Sequence, residues 1–160
     1  MSALLLTCVS FLTGCDDLKA TFDRKGYLED QSVSLVTDLM RRQDVDARCL
    51  KVKITQEMSG KNCRGKATLD TGEEIDVVIE DRDDTIWAEF DLESESTIEV
   101  LARPLVTEIM REKGGAKCIK VDITDKVDST HFRGKAELSD GSERDIAVEV
   151  RGKVYEVSVL

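Results

Sequence analysis

Residues 49–82 read CLKVKITQEMSGKNCRGKATLDTGEEIDVVIEDR, and residues 118–151 read CIKVDITDKVDSTHFRGKAELSDGSERDIAVEVR. The two stretches align without a gap at a constant offset of 69 residues, and fifteen of their thirty-four positions are identical. A second similarity precedes each copy, LVTDLMR at 35–41 and LVTEIMR at 105–111. Self-similarity at a fixed period is typical of a repeated structural unit. The chain therefore contains one small domain in two copies.

The sequence pattern of each copy predicts one helix followed by four strands. Apolar residues recur at helical spacing over 28–42 and again over about 97–113. Alternating apolar and polar residues predict strands at 50–55, 63–69, 75–80 and 85–90, and at 117–124, 132–138, 144–150 and 154–160. We predict an α+β fold, a tandem duplicated domain in which each copy is one helix packed on a four-stranded antiparallel meander. Repeat 1 is residues 28–93 and repeat 2 is residues 94–160.

The alternation also predicts which side chains face the helix. Leu50 and its counterpart Ile119 begin the first inward-facing row of each copy, and Gly72 and Gly141 are expected to supply positive φ at the hairpin turns. Agreement between the copies supports one buried face for each sheet. Among the mapped positions, only Arg144, opposite Ile75, breaks the pattern. Pro104 lies within the second helical pattern, where it either starts the main helix or kinks a longer one.

The first 27 residues have a different character. A short apolar run ends in Leu12-Thr13-Gly14-Cys15, which resembles the lipobox of bacterial lipoproteins. The resemblance implies that residues 1–14 are a signal peptide and that the thiol of Cys15 carries a diacylglycerol, with residues 15–27 as a tether. The absence of Lys or Arg before the apolar run departs from that family's pattern. The alternative is a buried N-terminal strand or helix. We expect an exported protein, anchored to a bacterial membrane and facing the periplasm or the cell exterior.

Amino-acid composition limits the classes of molecule that this chain can bind. The 160 residues carry a formal net charge of −10, so nucleic acid and anionic lipid headgroups repel the chain, and we exclude a nucleic-acid role. Aromatic residues are only 4%, so the core is expected to be aliphatic.

The predicted order of elements resembles the helix-plus-four-strand repeat of beta-lactamase-inhibitor-protein-like domains. A G-x-A-x-L-x-x-G hairpin, at Gly65–Gly72 and Gly134–Gly141, is also similar to that of small secreted domains of unknown function. The resemblance covers about residues 28–160. It implies a binding module and transfers no functional residue.

Trp87 is the leading candidate for a partner-binding residue. By alternation it lies on the outer face of the sheet with Thr85 and Glu89, beside Val78 of the neighbouring strand. An exposed tryptophan on a flat sheet is typical of a binding hot spot. The alternative is that Trp87 packs against the other copy or under a loop.

The cysteines and the single histidine give little indication of catalytic or metal-binding chemistry. Cys63 is expected to be buried. Cys49 and Cys118 occupy equivalent positions and could form a disulfide between the repeats, because an exported location permits it. The single histidine, His131, is expected to lie at the surface and gives little support to a catalytic triad. We expect no cofactor and no metal.

The leading hypothesis is thus a non-enzymatic, lipid-anchored envelope protein whose sheets bind, and could inhibit, an envelope protein. A structural or stress-related envelope lipoprotein without a specific ligand is the first alternative. The second is an enzyme with an unrecognised carboxylate site, which would need clustered Asp or Glu side chains with raised pKa values.

Overall fold

Each repeat folds as one helix followed by a four-stranded antiparallel meander. The structure is a computed structural model that describes residues 23–58, 61–82 and 85–160. Helix α1 (Arg24–Arg42) precedes strands β1 (Cys49–Glu57), β2 (Asn62–Leu69), β3 (Glu74–Arg82) and β4 (Thr85–Phe90). Helix α2 (Glu95–Glu112) precedes β5 (Cys118–Lys126), β6 (His131–Leu138), β7 (Glu143–Arg151) and β8 (Val154–Val159). Sheet A has the order β1-β2-β3-β4 and sheet B the order β5-β6-β7-β8, so the predicted fold class is confirmed.

The helix boundaries differ slightly from those predicted. Helix α1 begins at Arg24, within the predicted tether, because the carboxylate of Asp23 accepts a hydrogen bond from the Gly26 N–H at 3.0 Å and caps the first turn. Helix α2 runs from Glu95 through Pro104 to Glu112, so Pro104 lies inside a longer helix rather than at its start. The hairpin glycines, Gly72 and Gly141, have φ values of 85° and 81°, as predicted.

The same two side-chain bonds join helix to sheet in both repeats. The hydroxyl of Thr37 accepts a hydrogen bond from the Cys49 N–H at 3.1 Å, and Thr107 does the same for Cys118. The carboxylate of Glu29 accepts the Ile54 N–H at 2.7 Å. In repeat 2, the equivalent Glu99 accepts the Ile123 N–H at 2.9 Å. Burial is the largest influence on the Glu99 carboxyl and raises its pKa. These partly buried side chains accept hydrogen bonds from the first strand of each sheet, so they fix the position of each helix on its sheet.

The predicted inward positions of Leu50 and Ile119 are wrong. The pairing between β1 and β2 shifts register between Cys49 and Lys51, and β5 shifts in the same place. A shift of one residue at a β-bulge reverses the facing of the side chains before it. As a result Cys49 is buried, whereas Leu50 is 64% exposed and Ile119 is 49% exposed. The alternation resumes at Val52, which is buried as predicted.

Helix α2 is buried against both sheets. It covers the inner face of sheet B, and its Val100 also belongs to the hydrophobic core of repeat 1, together with Ile75. The residues at the equivalent positions of the other copy are polar. Asp30 of α1 corresponds to Val100 of α2, and Arg144 of β7 corresponds to Ile75 of β3. Both are exposed. The apparent break in the alternation at Arg144 therefore marks a face that no second helix of the described residues covers.

Candidate binding surface

Strand β4 places Trp87 on the face of sheet A that points away from the helices, which we call outer face A. Along β4, exposed side chains alternate with half-buried ones, and Ile86, Ala88 and Phe90 pack against the core of repeat 1. Trp87 is 57% exposed. The predicted outward position of Trp87 is therefore confirmed. The alternative, in which the indole packs under a loop or against the other copy, is not observed.

The other three candidate residues lie beside Trp87. Thr85 and Glu89 flank it on β4, and Val78 lies directly across from Glu89 on β3. Val78 is half-buried between the buried Val77 and Ile79, which face the helix. Sheet register thus brings together on outer face A the residues that the sequence singled out.

Two ion pairs lie on either side of the Trp87 indole. Glu80, the residue directly opposite Trp87, pairs with Arg82. Glu89 pairs with Lys153 in the turn between β7 and β8, so this contact joins the two repeats. The negative charges beside Trp87 are therefore held in place by neighbouring cations, which leaves the aromatic ring as the apolar centre of the surface.

A cleft of about 520 Å³ lies beside this surface, between the repeats. Val78, Glu89 and Lys153 line it, together with Arg64 and Tyr155. The Tyr155 hydroxyl donates at 3.2 Å to the Gln43 side chain and at 3.3 Å to the Leu101 carbonyl. Burial raises the pKa of Tyr155 to about 12. This hydroxyl therefore stays protonated and helps to hold repeat 2 against repeat 1.

The outer surface of sheet B carries a hollow of its own. On outer face B, the face of sheet B that points away from α2, Ala147 and Ser158 replace Val78 and Glu89 of sheet A, and Glu156 replaces Trp87. A hollow of about 400 Å³ lies here, and Ala147, Glu156 and Ser158 are among its lining residues. Sequence reasoning missed this feature.

His131 lies at the rim of the hollow and is exposed, as predicted. Its Nδ1 is 3.0 Å from the Asp128 carboxylate. That carboxylate also accepts hydrogen bonds from the Thr130 backbone N–H and hydroxyl, and these bonds hold the pKa of Asp128 well below its usual range. Among the described residues, no group of three or more His, Cys, Asp or Glu side chains is arranged to hold a metal ion.

The disulfide that Cys49 and Cys118 could form between the repeats is not present. Cys49, Cys63 and Cys118 are free and buried, as expected for Cys63. Cys49 lies in the core of repeat 1, and Cys118 lies in the separate core of repeat 2. Each of these two thiols donates to a backbone carbonyl two residues further on, at 3.4 and 3.3 Å. Burial raises the pKa of both thiols, so they remain protonated.

Equivalent cross-strand residues pair in the same register in the two sheets. Lys66 lies opposite Asp76, and their Nζ and Oδ1 atoms are 3.2 Å apart. Lys135 lies opposite Asp145, but its ion pair is with Glu143, at 3.1 Å.

No protein-family model, no curated protein and no solved structure matches this chain. The resemblances to lipoproteins and to beta-lactamase-inhibitor-protein-like domains therefore remain predictions. Cys15, the predicted signal peptide and most of the predicted tether lie outside the described residues. Neither helix of the described part combines the length and the apolar character that crossing a membrane requires.

Proposed function

We propose that this chain is a lipid-anchored protein of the bacterial cell envelope that binds another protein through outer face A and performs no catalysis. The observation that supports the proposal is the exposure of Trp87 on a hydrogen-bonded sheet. A tryptophan offers a large apolar area at low cost in conformational entropy, and tryptophan is enriched among residues that dominate binding energy. The neighbouring Val78 extends the apolar area, while Thr85 and Glu89 provide a polar rim.

The lipobox gives the proposed position in the cell. If Cys15 is lipidated, the eight residues from Asp16 to Asp23 separate the anchor from helix α1. A fully extended chain spans at most ~3.6 Å per residue, so the helix would begin within about 30 Å of the lipid. Outer face A would then meet partners that are themselves in the membrane or close to it.

Capture of a partner from envelope membranes tests this function. The native chain and Trp87→Ala would be crosslinked in intact envelopes and purified, and the captured proteins would be compared. We expect one partner to be captured by the native chain and lost with Trp87→Ala, because truncation of a hot-spot residue costs about 2 kcal/mol or more, roughly thirtyfold in affinity.

Leu50→Ala is the matched control. Leu50 is exposed to a similar degree, but it lies at the bulge of β1 rather than on β4. The control should capture the same partner as the native chain. If Leu50→Ala and Trp87→Ala lose the partner equally, the contact is not specific to the surface around Trp87 on β4. If neither the native chain nor the variants capture a partner, the structural or stress-related role becomes the better explanation.

A further inference from the structure

Another cleft lies where the two repeats meet, and we call it the junction cleft. Residues 44–47, in the connection between α1 and β1, line it together with α2 and the start of β5. Its volume is about 420 Å³, within the range of about 300–1,000 Å³ that is typical of small-molecule sites. Neither Trp87 nor Thr85, Val78 or Glu89 lines the junction cleft, so it is separate from the surface proposed for protein binding.

Part of the lining is apolar. Ile119 lines the junction cleft and is 49% exposed, because β5 is bulged where it begins. Pro104 of α2 and the half-buried Val45 and Ala47 of repeat 1 also line it. An apolar side chain of a ligand would therefore lose contact with water by entering the cleft, which favours binding.

Charged groups of both signs line the same cleft. Asp44 and Asp46 supply two carboxylates, Lys117 supplies an ammonium group, and all three residues are exposed. Among the residues that the structure describes, none of the three makes an ion pair, so their charges do not neutralise one another. The remaining cation of the cleft, Arg103, already pairs with Glu73 at 2.7 Å.

The one proline of the chain adds a backbone acceptor. Pro104 has no N–H, so the carbonyl of Val100, four residues earlier in α2, lacks the donor that a regular helix gives it. Val100 and Pro104 both line the junction cleft. A backbone carbonyl without its helical partner needs another donor, from water or from a ligand.

We propose that the junction cleft binds an apolar zwitterion, which is an amino acid or a short peptide with an apolar side chain and free termini. The ammonium group of the ligand donates to the carboxylates of Asp44 and Asp46, its carboxylate pairs with Lys117, and its side chain lies against Ile119. A ligand with a single charge would leave one sign of charge in the cleft without a partner. This activity goes beyond the protein binding proposed for outer face A and does not depend on it.

Isothermal titration calorimetry of the full chain in detergent micelles tests the proposal. The probes are leucine, leucyl-leucine and leucyl-leucyl-leucine, each compared with its N-acetylated and its C-amidated form. We expect at least one free probe to bind. Each blocked form should bind about fivefold more weakly, because blocking removes one of the two charges, and an exposed ion pair contributes roughly that much.

Substitutions of the charged residues test which terminus each one binds. Lys117→Gln should weaken binding of the free probe about fivefold and leave binding of its C-amidated form unchanged. Asp46→Asn should weaken binding of the free probe similarly and leave binding of its N-acetylated form unchanged. Lys113→Gln and Asp30→Asn are the matched controls, because both residues are exposed and lie outside the cleft, and they should leave all affinities unchanged.

The sister repeat supplies two further variants. Ile119→Ala should weaken binding of the free probe roughly fivefold, because it removes apolar contact area. Leu50→Ala is its matched control, since Leu50 is the counterpart of Ile119 at the bulge of β1 and lies outside the cleft. Asp44 has a φ of 54°, and its counterpart Gly114 has a φ of 69°, so glycine fits this helix end. Asp44→Gly should therefore weaken binding without lowering the urea midpoint of unfolding.

The outcomes separate the junction cleft from outer face A. If circular dichroism shows a folded chain and no free probe binds, the proposal is wrong. Equal affinity for free and blocked probes would also overturn it, because the charged groups would then contribute nothing. Trp87→Ala should leave probe binding unchanged, so failure of this site and failure of the proposed protein binding are distinguishable.

Discussion

Replacement of Thr97 by valine tests how the two repeats are joined. The buried hydroxyl of Thr97 in α2 accepts the Asp76 N–H at 2.9 Å and donates to the Asp76 carbonyl at 3.1 Å. Strand β4 ends at Phe90, which pairs with Val77, so the edge of β3 at Asp76 has no neighbouring strand on that side. The threonine hydroxyl takes the place of the missing strand.

The expected cost follows from these contacts. The Asp76 carbonyl keeps a second bond, from the Asp91 N–H at 2.9 Å, so Thr97→Val leaves only the Asp76 N–H without a partner. An unsatisfied buried donor costs about 1–3 kcal/mol, and valine has nearly the shape of threonine. We therefore expect the free energy of unfolding to fall by roughly 2 kcal/mol. Thr97→Ser keeps the hydroxyl and removes one methyl group, which costs about 0.8 kcal/mol.

Urea unfolding followed by circular dichroism measures these differences, and amide hydrogen exchange locates them. The Asp76 N–H should exchange faster in Thr97→Val than in Thr97→Ser. Tyr27→Phe is a control, because Tyr27 is the equivalent position in α1 and is exposed. It should change stability by less than about 0.5 kcal/mol. The reasoning is wrong if Thr97→Val is no less stable than Thr97→Ser, or if the Asp76 amide keeps its native protection.

Three further predictions follow from burial. Because burial raises the pKa of Glu99, the stability that its protonation contributes is present at low pH and is lost as pH rises through the folded-state pKa. The stability of Glu99→Gln relative to the native chain should therefore increase as pH rises from the ordinary value of 4.5 through the higher folded-state pKa, and a flat difference in urea unfolding over that range would contradict this. Leu50→Ala should change the free energy of unfolding by less than about 0.5 kcal/mol, whereas Val52→Ala should lower it by roughly 2 kcal/mol. Equal effects in denaturant titration would refute the bulge. The Cys118 thiol should react with a thiol reagent only when urea unfolds the chain, and rapid labelling of the native protein, followed by mass spectrometry, would show that it is not buried.

The sequence predicted the elements of the fold because their signals are local. Alternation along the strands and helical spacing before them depend on neighbouring residues, and the two copies tested each other position by position. The same alternation placed Trp87 on outer face A and brought Thr85, Glu89 and Val78 beside it. The alternation gave the wrong facing for Leu50, because a β-bulge inserts one extra residue in β1. Strand β5 has a bulge at the same place, so the alignment of the two copies shows no gap that would reveal it.

The sequence by itself determined that this protein is a duplicated helix-and-meander unit, and it determined which strand faces are apolar. Only the tertiary structure decided how the copies meet: α2 lies between both sheets, Thr97 completes the edge of β3, and Arg144 is exposed where Ile75 is buried. It also decided that Trp87 projects from one repeat while a hollow opens in the other. The physical reason is that these features depend on contacts between residues far apart in the chain, which leave no periodic pattern in the sequence.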